Sequence, residues 1–180
     1  NKKALDVLCR AGAMKDLEDE RFTGAKHFWS AICVDRPRKQ KNLDENIEAY
    51  KPEGDFSDEE KISYQVELTG VFPFNRVMKE DLYKQLSDNH IPAIANYDPQ
   101  LCQAVWFIPR NVVPKKTKNG KPYWILEVID DTNSLTKIRC WGIQEYDRIY
   151  VNRPYMAKLD YNDKWGFSTR SLRRNFRILA

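Results

Sequence analysis

The sequence predicts an α+β chain, helical to about residue 98 and then a small five-stranded β-barrel to residue 180. Two observations predict it. Apolar residues recur at three- and four-residue spacing before Pro92 and Pro99, and at two-residue spacing from Leu101 onwards. The charge divides at the same place: residues 1–100 hold 15 Lys and Arg against 19 Asp and Glu, while residues 101–180 hold 15 against 7. At 180 residues and 42% apolar content the chain can build one medium domain or two small ones.

Within residues 1–17, Leu5, Leu8, Cys9 and Ala13 lie on one helical face, and Gly12 stands where the pattern breaks. Residues 23–34 predict a second helix with Phe28, Trp29 and Ile32 near one face, and the basic residues beyond it suit its C-terminal dipole. Residues 35–56 read as a polar surface loop, with Pro37, the run Arg38, Lys39, Gln40 and Lys41, then Pro52 and Gly54. Ser57 and Glu60 form a capping box ahead of Ile62, Val66 and Leu68, and Gly70 closes that helix. A further helix is expected over residues 76–87, and Pro92 and Pro99 bound the connector.

Strands are expected over residues 103–113, 123–129 and 135–141, with an Asn119-Gly120 hairpin signal between the first two. Asp130, Asp131, Thr132 and Asn133 supply the next turn. Alternation turns Thr136, Ile138 and Cys140 inward and Lys137, Arg139 and Trp141 outward. Helical turns at residues 143–149 then lead to strands at 155–161 and 164–168. Five short strands with a helical link between the third and fourth have the order of an OB-fold, whose second and third strands bind oligomers.

Four of the five tryptophans, Trp106, Trp124, Trp141 and Trp165, fall in the basic part, where aromatic faces and cations together suit single-stranded nucleic acid. Lys115, Lys116, Lys118 and Lys121 surround the first hairpin and are placed to neutralise phosphates, with Lys137 and Arg139 on the third strand. Tyr123 and Trp141 are the expected stacking platforms. Arg170, Arg173, Arg174 and Arg177 either extend this groove or face another domain.

Other chemistry finds no matching pattern. Cys9, Cys33, Cys102 and Cys140 are far apart with no C-x-x-C, and with His27 and His90 they form no metal-ligand spacing, so they read as buried thiols. Asp130 and Asp131 sit in a turn, where aspartates accept backbone hydrogen bonds. Neither histidine belongs to a nucleophile motif. No run approaches the ~20 apolar residues of a membrane span, which by default implies a cytoplasmic chain with no membrane partner. The opening at Asn1, already in helical pattern, implies a piece of something longer.

These residues resemble a known family. Leucines followed by Ala11, Gly12, Ala13 and the acidic Asp16 resemble the start of the clamp-binding region of bacterial DNA polymerase III alpha subunits. Glu67, Leu68, Thr69 and Gly70, with a proline just after, resemble that family's Leu-(Ser/Thr)-Gly-His-Pro element. Lys116 to Lys121 resemble its Thr-Lys-x-Gly hairpin, and Leu126 to Asp131 its Leu-Glu-Asp turn. The motifs keep the family's order over nearly the whole chain. Two departures stand out: Phe72 takes the place of the family histidine with one extra residue, and Asp44 and Glu45 stand where the internal clamp peptide, begun here by Gln40 and Leu43, wants an aromatic. A diverged, phage-type member would account for both.

The resemblance implies a non-catalytic fragment of a replicative DNA polymerase, with a helical clamp-binding-like domain over 1–98 and an OB domain over 99–180. It implies single-stranded DNA binding in support of template guidance and processivity, no cofactor in this fragment, and contacts with the sliding clamp through Gln40 and Leu43 and with other replisome subunits. Two alternatives stand beside it: a protein-docking module of the replisome that binds no nucleic acid, and the anticodon-binding OB domain of an aminoacyl-tRNA synthetase.

Overall fold

Leu5 and Cys9 lie one turn apart on helix α1 (Lys2–Arg10), and they pack with Phe28 and Cys33 of helix α2 (Ala25–Cys33). Burying this pair of apolar stripes is what makes two such short helices stable in each other's presence. Asp6 ties them further: its carboxylate accepts from the Trp29 indole of α2 at 2.7 Å, and from Arg10, one turn on within α1, at 2.6 Å. The computed structural model describes residues 2–101 and 104–179. Asn1, Cys102, Gln103 and Ala180 lie outside the described residues, and with them one of the four thiols and the expected start of the first strand.

The polar loop expected at 35–56 contains a helix, α3 (Gln40–Ala49). Its apolar stripe is only Leu43 and Ile47, with Tyr50 just past its end, too narrow to read against the surrounding charge. Hydrogen bonds to α2 and its exit supply the rest of the docking. The Nε2 of His27, which is 1% exposed, meets the Ile47 carbonyl at 2.7 Å, and Asn46 donates to the carbonyls of Ala31 and Asp35. Helix α4 (Asp58–Thr69) forms as expected. The Ser57 hydroxyl accepts from the Glu60 amide, the Glu60 carboxylate accepts from the Ser57 amide, and Gly70 ends the helix at φ 71°. That positive φ is the left-handed conformation that glycine adopts without a Cβ penalty.

Residues 1–73 form one compact unit and residues 74–180 another, so the division falls after Pro73 and not near residue 98. The packing of residues 74–94 explains this boundary. The expected helix at 76–87 is two pieces, α5 (Phe74–Val77) and α6 (Glu80–Asp88), separated where Lys79 is extended. Tyr83 of α6 sets its ring edge against Trp106, Ala93 bridges to Trp106, and Ile94 is 1% exposed within the core of the sheet. The connector therefore belongs to the β unit.

That unit holds a curled sheet of seven strands among the described residues, not five, in the order β5-β6-β3-β2-β1-β4-β7. Strands β1 (Ala104–Lys116), β2 (Pro122–Ile129) and β3 (Thr136–Trp141) form an antiparallel meander. The stretch expected as one strand at 155–161 is split by Leu159, which turns into the core. Its first part, β4 (Tyr155–Lys158), pairs with β1, and its second, β5 (Asp160–Asn162), pairs with β6 (Gly166–Thr169). One bent segment thus serves both flanks of the meander and curls the sheet. β6 runs parallel to β3.

Two elements had no forecast: α7 (Leu172–Asn175), with the Ser171 hydroxyl as its cap, and β7 (Phe176–Ile178), which pairs with β4. The helical turns expected at 143–149 reduce to one turn, closed by the Asp147 amide on the Gln144 carbonyl and the Asp147 carboxylate on the Gln144 amide. No helix of the described residues is long and apolar enough to cross a membrane.

Candidate nucleic-acid interface

Alternation along the meander builds the candidate face. Leu126, Val128, Ile138 and Cys140 are fully buried, so their sequence neighbours lie on the opposite, outer face. The register then sets that face in three rows. Lys115, Tyr123 and Trp141 are Cα partners across β1, β2 and β3; so are Val113, Ile125 and Arg139, and so are Asn111, Glu127 and Lys137. Tyr123 and Trp141 stack, with ring centroids 4.6 Å apart and an angle of 26° between planes. Such a pair contributes about 0.5–1.5 kcal/mol beyond its buried area.

The cations differ in what they face. Lys137 stands 3.5 Å from the Glu127 carboxylate, which also accepts from the Asn111 amide, so its charge is largely answered within its own row. Lys115, Lys116, Lys118 and Lys121 are all exposed. The hairpin that carries the last two closes through the Gly120 amide on the Thr117 carbonyl and the Thr117 amide on the Lys121 carbonyl, with Gly120 at φ 76°. Lys115 shares the outer row with the stacked rings. Lys116, one residue on and opposite Pro122, belongs to the other face.

Arg139 donates to the Trp165 carbonyl and holds its guanidinium carbon 6.0 Å from the Trp165 ring, and the Lys164 ammonium lies 5.3 Å from the same ring. Trp165 is 58% exposed. The strand expected at 164–168 would contain this tryptophan. The turn signal from Asn162 to Gly166, with Gly166 at φ 72°, puts it at the tip of the β5–β6 hairpin. Arg170 follows directly on β6, whose parallel register with β3 ends at Cys140 and Thr169; it is exposed, and a Cβ added to Gly142 would lie 3.0 Å from its carbonyl oxygen.

The remaining sequence-level candidates fall elsewhere. Gln40 and Leu43 lie on α3, where Gln40 donates to Asp44 and Leu43 is half-buried. The Asp130 carboxylate is fully buried and accepts from the amides of Ala95 and Thr132 and from the Thr132 hydroxyl. Burial, and then Asp130, push the Asp131 carboxyl up. Burial also pushes the thiols of Cys9 and Cys140 up to about 12, far from the thiolate that reactivity requires. Among the described residues no group of His, Cys, Asp and Glu is arranged to hold a metal ion.

The sequence matches no model of a known protein family, and a search of curated proteins returns no match.

Proposed function

We propose that residues 74–180 form an OB-type barrel that holds single-stranded nucleic acid on the outer face of β1, β2 and β3, in a fragment of a replicative DNA polymerase of the III alpha type. The observation that carries the reading is the stacked Tyr123–Trp141 pair in register with Lys115. Both rings are half-buried on that face, and aromatic rings flanked by cations bind any base by stacking and any phosphate by charge, without reading sequence. Among the nine residues of the three rows Glu127 is the single carboxylate, and Lys137 already faces it. Arg139, Trp165 and Lys164 continue the aromatic and cationic surface past β3.

The strand order supports the barrel assignment. Counted as one bent strand, β4 and β5 make a set of five with β1, β2, β3 and β6. The meander comes first, the last strand runs parallel to the third, and the fourth returns to the first. β7 is then an addition. In this reading the fragment does no chemistry; it positions the template and supports processivity, and the polymerase carboxylates lie in another part of the parent.

The test is fluorescence anisotropy of labelled single- and double-stranded oligonucleotides at two salt concentrations, with the parent chain and with Lys115→Ala/Tyr123→Ala/Trp141→Ala. A salt-sensitive preference for single strands, lost in the triple variant, is the expected result. Equal binding of both forms, or none, would overturn the reading.

A further inference from the structure

The β unit carries a second surface that the nucleic-acid reading does not use. A groove of about 440 Å³ lies between the 146–150 segment, α7 and β7, within the roughly 300–1,000 Å³ of ordinary ligand clefts. Its floor is apolar, formed by Tyr155, Leu172 and Phe176, all less than a tenth exposed. Its walls are open: Tyr146, Tyr150 and Ile178 are 65%, 59% and 47% exposed. Three large apolar side chains left in water around one concavity are what a docking surface looks like before its partner arrives.

Two independent features say what the partner is. The first is backbone geometry. β7 is the terminal strand of the sheet order. The Leu179 amide donates to the Pro154 carbonyl, and Ile178 is the Cα partner of Tyr155. Because hydrogen-bonded and non-hydrogen-bonded pairs alternate in an antiparallel ladder, the Ile178 amide and carbonyl point away from β4, towards the free edge. A donor and an acceptor on one residue at an open edge suit another polypeptide backbone, not a sugar-phosphate chain. The second feature is charge. Arg148 and Arg173 line the groove, are exposed and form no ion pair among the described residues. Asp147, the carboxylate in the wall, is 8% exposed and is taken up by the Gln144 amide.

We infer that this groove docks a short acidic peptide segment of a partner protein, which adds a strand to the edge of β7, seats an aromatic or branched aliphatic side chain between Tyr150 and Ile178, and sets carboxylates against Arg148 and Arg173. The backbone contact gives orientation, the apolar anchor most of the affinity, and the charges the choice of an acidic sequence.

A phage-displayed random octapeptide library, selected on the whole chain and counter-selected on Arg148→Glu/Arg173→Glu, tests this. Enriched peptides should combine two or more carboxylates with an aromatic or branched aliphatic residue. A synthetic copy should lose at least 10-fold in affinity to the double variant and to Ile178→Pro, which removes the outward amide. Far-UV circular dichroism checks that both variants stay folded, and the charge reversals, made at exposed positions, stand if the proline variant does not. Tyr123→Ala/Trp141→Ala should leave peptide binding unchanged. Failure to enrich any peptide over the counter-selection, enrichment of peptides lacking carboxylates or apolar residues, or an effect of the variants on oligonucleotide binding alone would overturn the inference. Loss of nucleic-acid binding by the parent chain would bear on the other face only.

Discussion

Tyr123 and Trp141 are Cα partners across β2 and β3, and their rings stack at 4.6 Å on the face that the core leaves exposed. Each ring therefore holds the other in place before any ligand arrives, which reduces the entropy lost when a base is added to the stack. Replacing either by alanine is expected to weaken single-strand binding about 5- to 150-fold, corresponding to ~1–3 kcal/mol per stacked base. The double variant should lose less than the sum of the two losses, because each single change already disturbs the partner. Strict additivity in an anisotropy titration would show that the rings act separately.

Lys115 and Lys137 look alike in the sequence but not in their surroundings. Lys115 ends the row of stacked rings, whereas Lys137 faces Glu127 at 3.5 Å. A cation already facing a carboxylate neutralises little of a phosphate's charge, and so displaces few of the counterions condensed on the nucleic acid. Lys115→Ala should reduce the slope of log affinity against log salt by about 0.7, the value for one phosphate contact on a single strand. Lys137→Ala should change it much less. Equal changes in the two slopes would remove the argument.

Trp165, at the tip of the β5–β6 hairpin, is 58% exposed and has two cations near its ring, so nothing in the core requires it. Trp165→Ala should leave the thermal midpoint within a few degrees of the parent and weaken single-strand binding about 5-fold or more, while Trp165→Phe retains most of it. If both variants bind like the parent, the surface ends at Arg139.

The outer rows were legible in the sequence because a two-residue period fixes which side chains share a face once one is known to be buried. Ile138 and Cys140 inward places Arg139 and Trp141 outward without further information. Long-range neighbours were not legible. Nothing local says that Glu127 sits beside Lys137, or that the tip of one hairpin brings Trp165 to Arg139. Helix α3 escaped for a different reason: hydrogen bonds from His27 and Asn46 dock it as much as apolar burial does, and such bonds leave no periodicity. The split at Leu159 is a bend that lets one segment pair first with β1 and then with β6, which no strand pattern records.

Gln40 and Leu43 carry the clamp-peptide resemblance, yet both are held in α3. Gln40 is bonded to Asp44 one turn on, and Leu43 is half-buried. A peptide that must open out to enter a pocket would have to leave this helix, and no exposed aromatic rewards it for doing so. Gln40→Ala/Leu43→Ala is expected to leave any binding to a bacterial sliding clamp unchanged in surface plasmon resonance, while lowering stability by about 1 kcal/mol through Leu43. A 10-fold loss of clamp binding without unfolding would show instead that Gln40 and Leu43 contact the clamp.

Asp6 gives the helical unit a dependence on acid. Burial raises its carboxyl, but the hydrogen bonds from Trp29 and Arg10, with the Arg10 charge, outweigh that and bring it below the usual value of 3.8. Asp55 is lowered in the same way: burial opposes, and Lys61 and the amides of Lys26 and Phe56 prevail. A carboxyl lowered on folding contributes stability that is complete above its unfolded value and disappears as pH falls through the folded one. Urea unfolding followed by circular dichroism should therefore be flat from pH 7 to 5 with respect to these groups and then weaken below about pH 4. Asp6→Asn keeps an acceptor for the Trp29 indole but loses the charge facing Arg10, so it should be less stable than the parent at pH 7, by about 1 kcal/mol or less because the pair is partly screened by solvent. That gap should narrow in acid, as pH falls through the lowered folded-state value of the parent's Asp6. A gap that stays constant or widens in acid would mean that Asp6 acts through its shape and hydrogen bonds alone, and that its ion pair with Arg10 within α1 contributes nothing to stability.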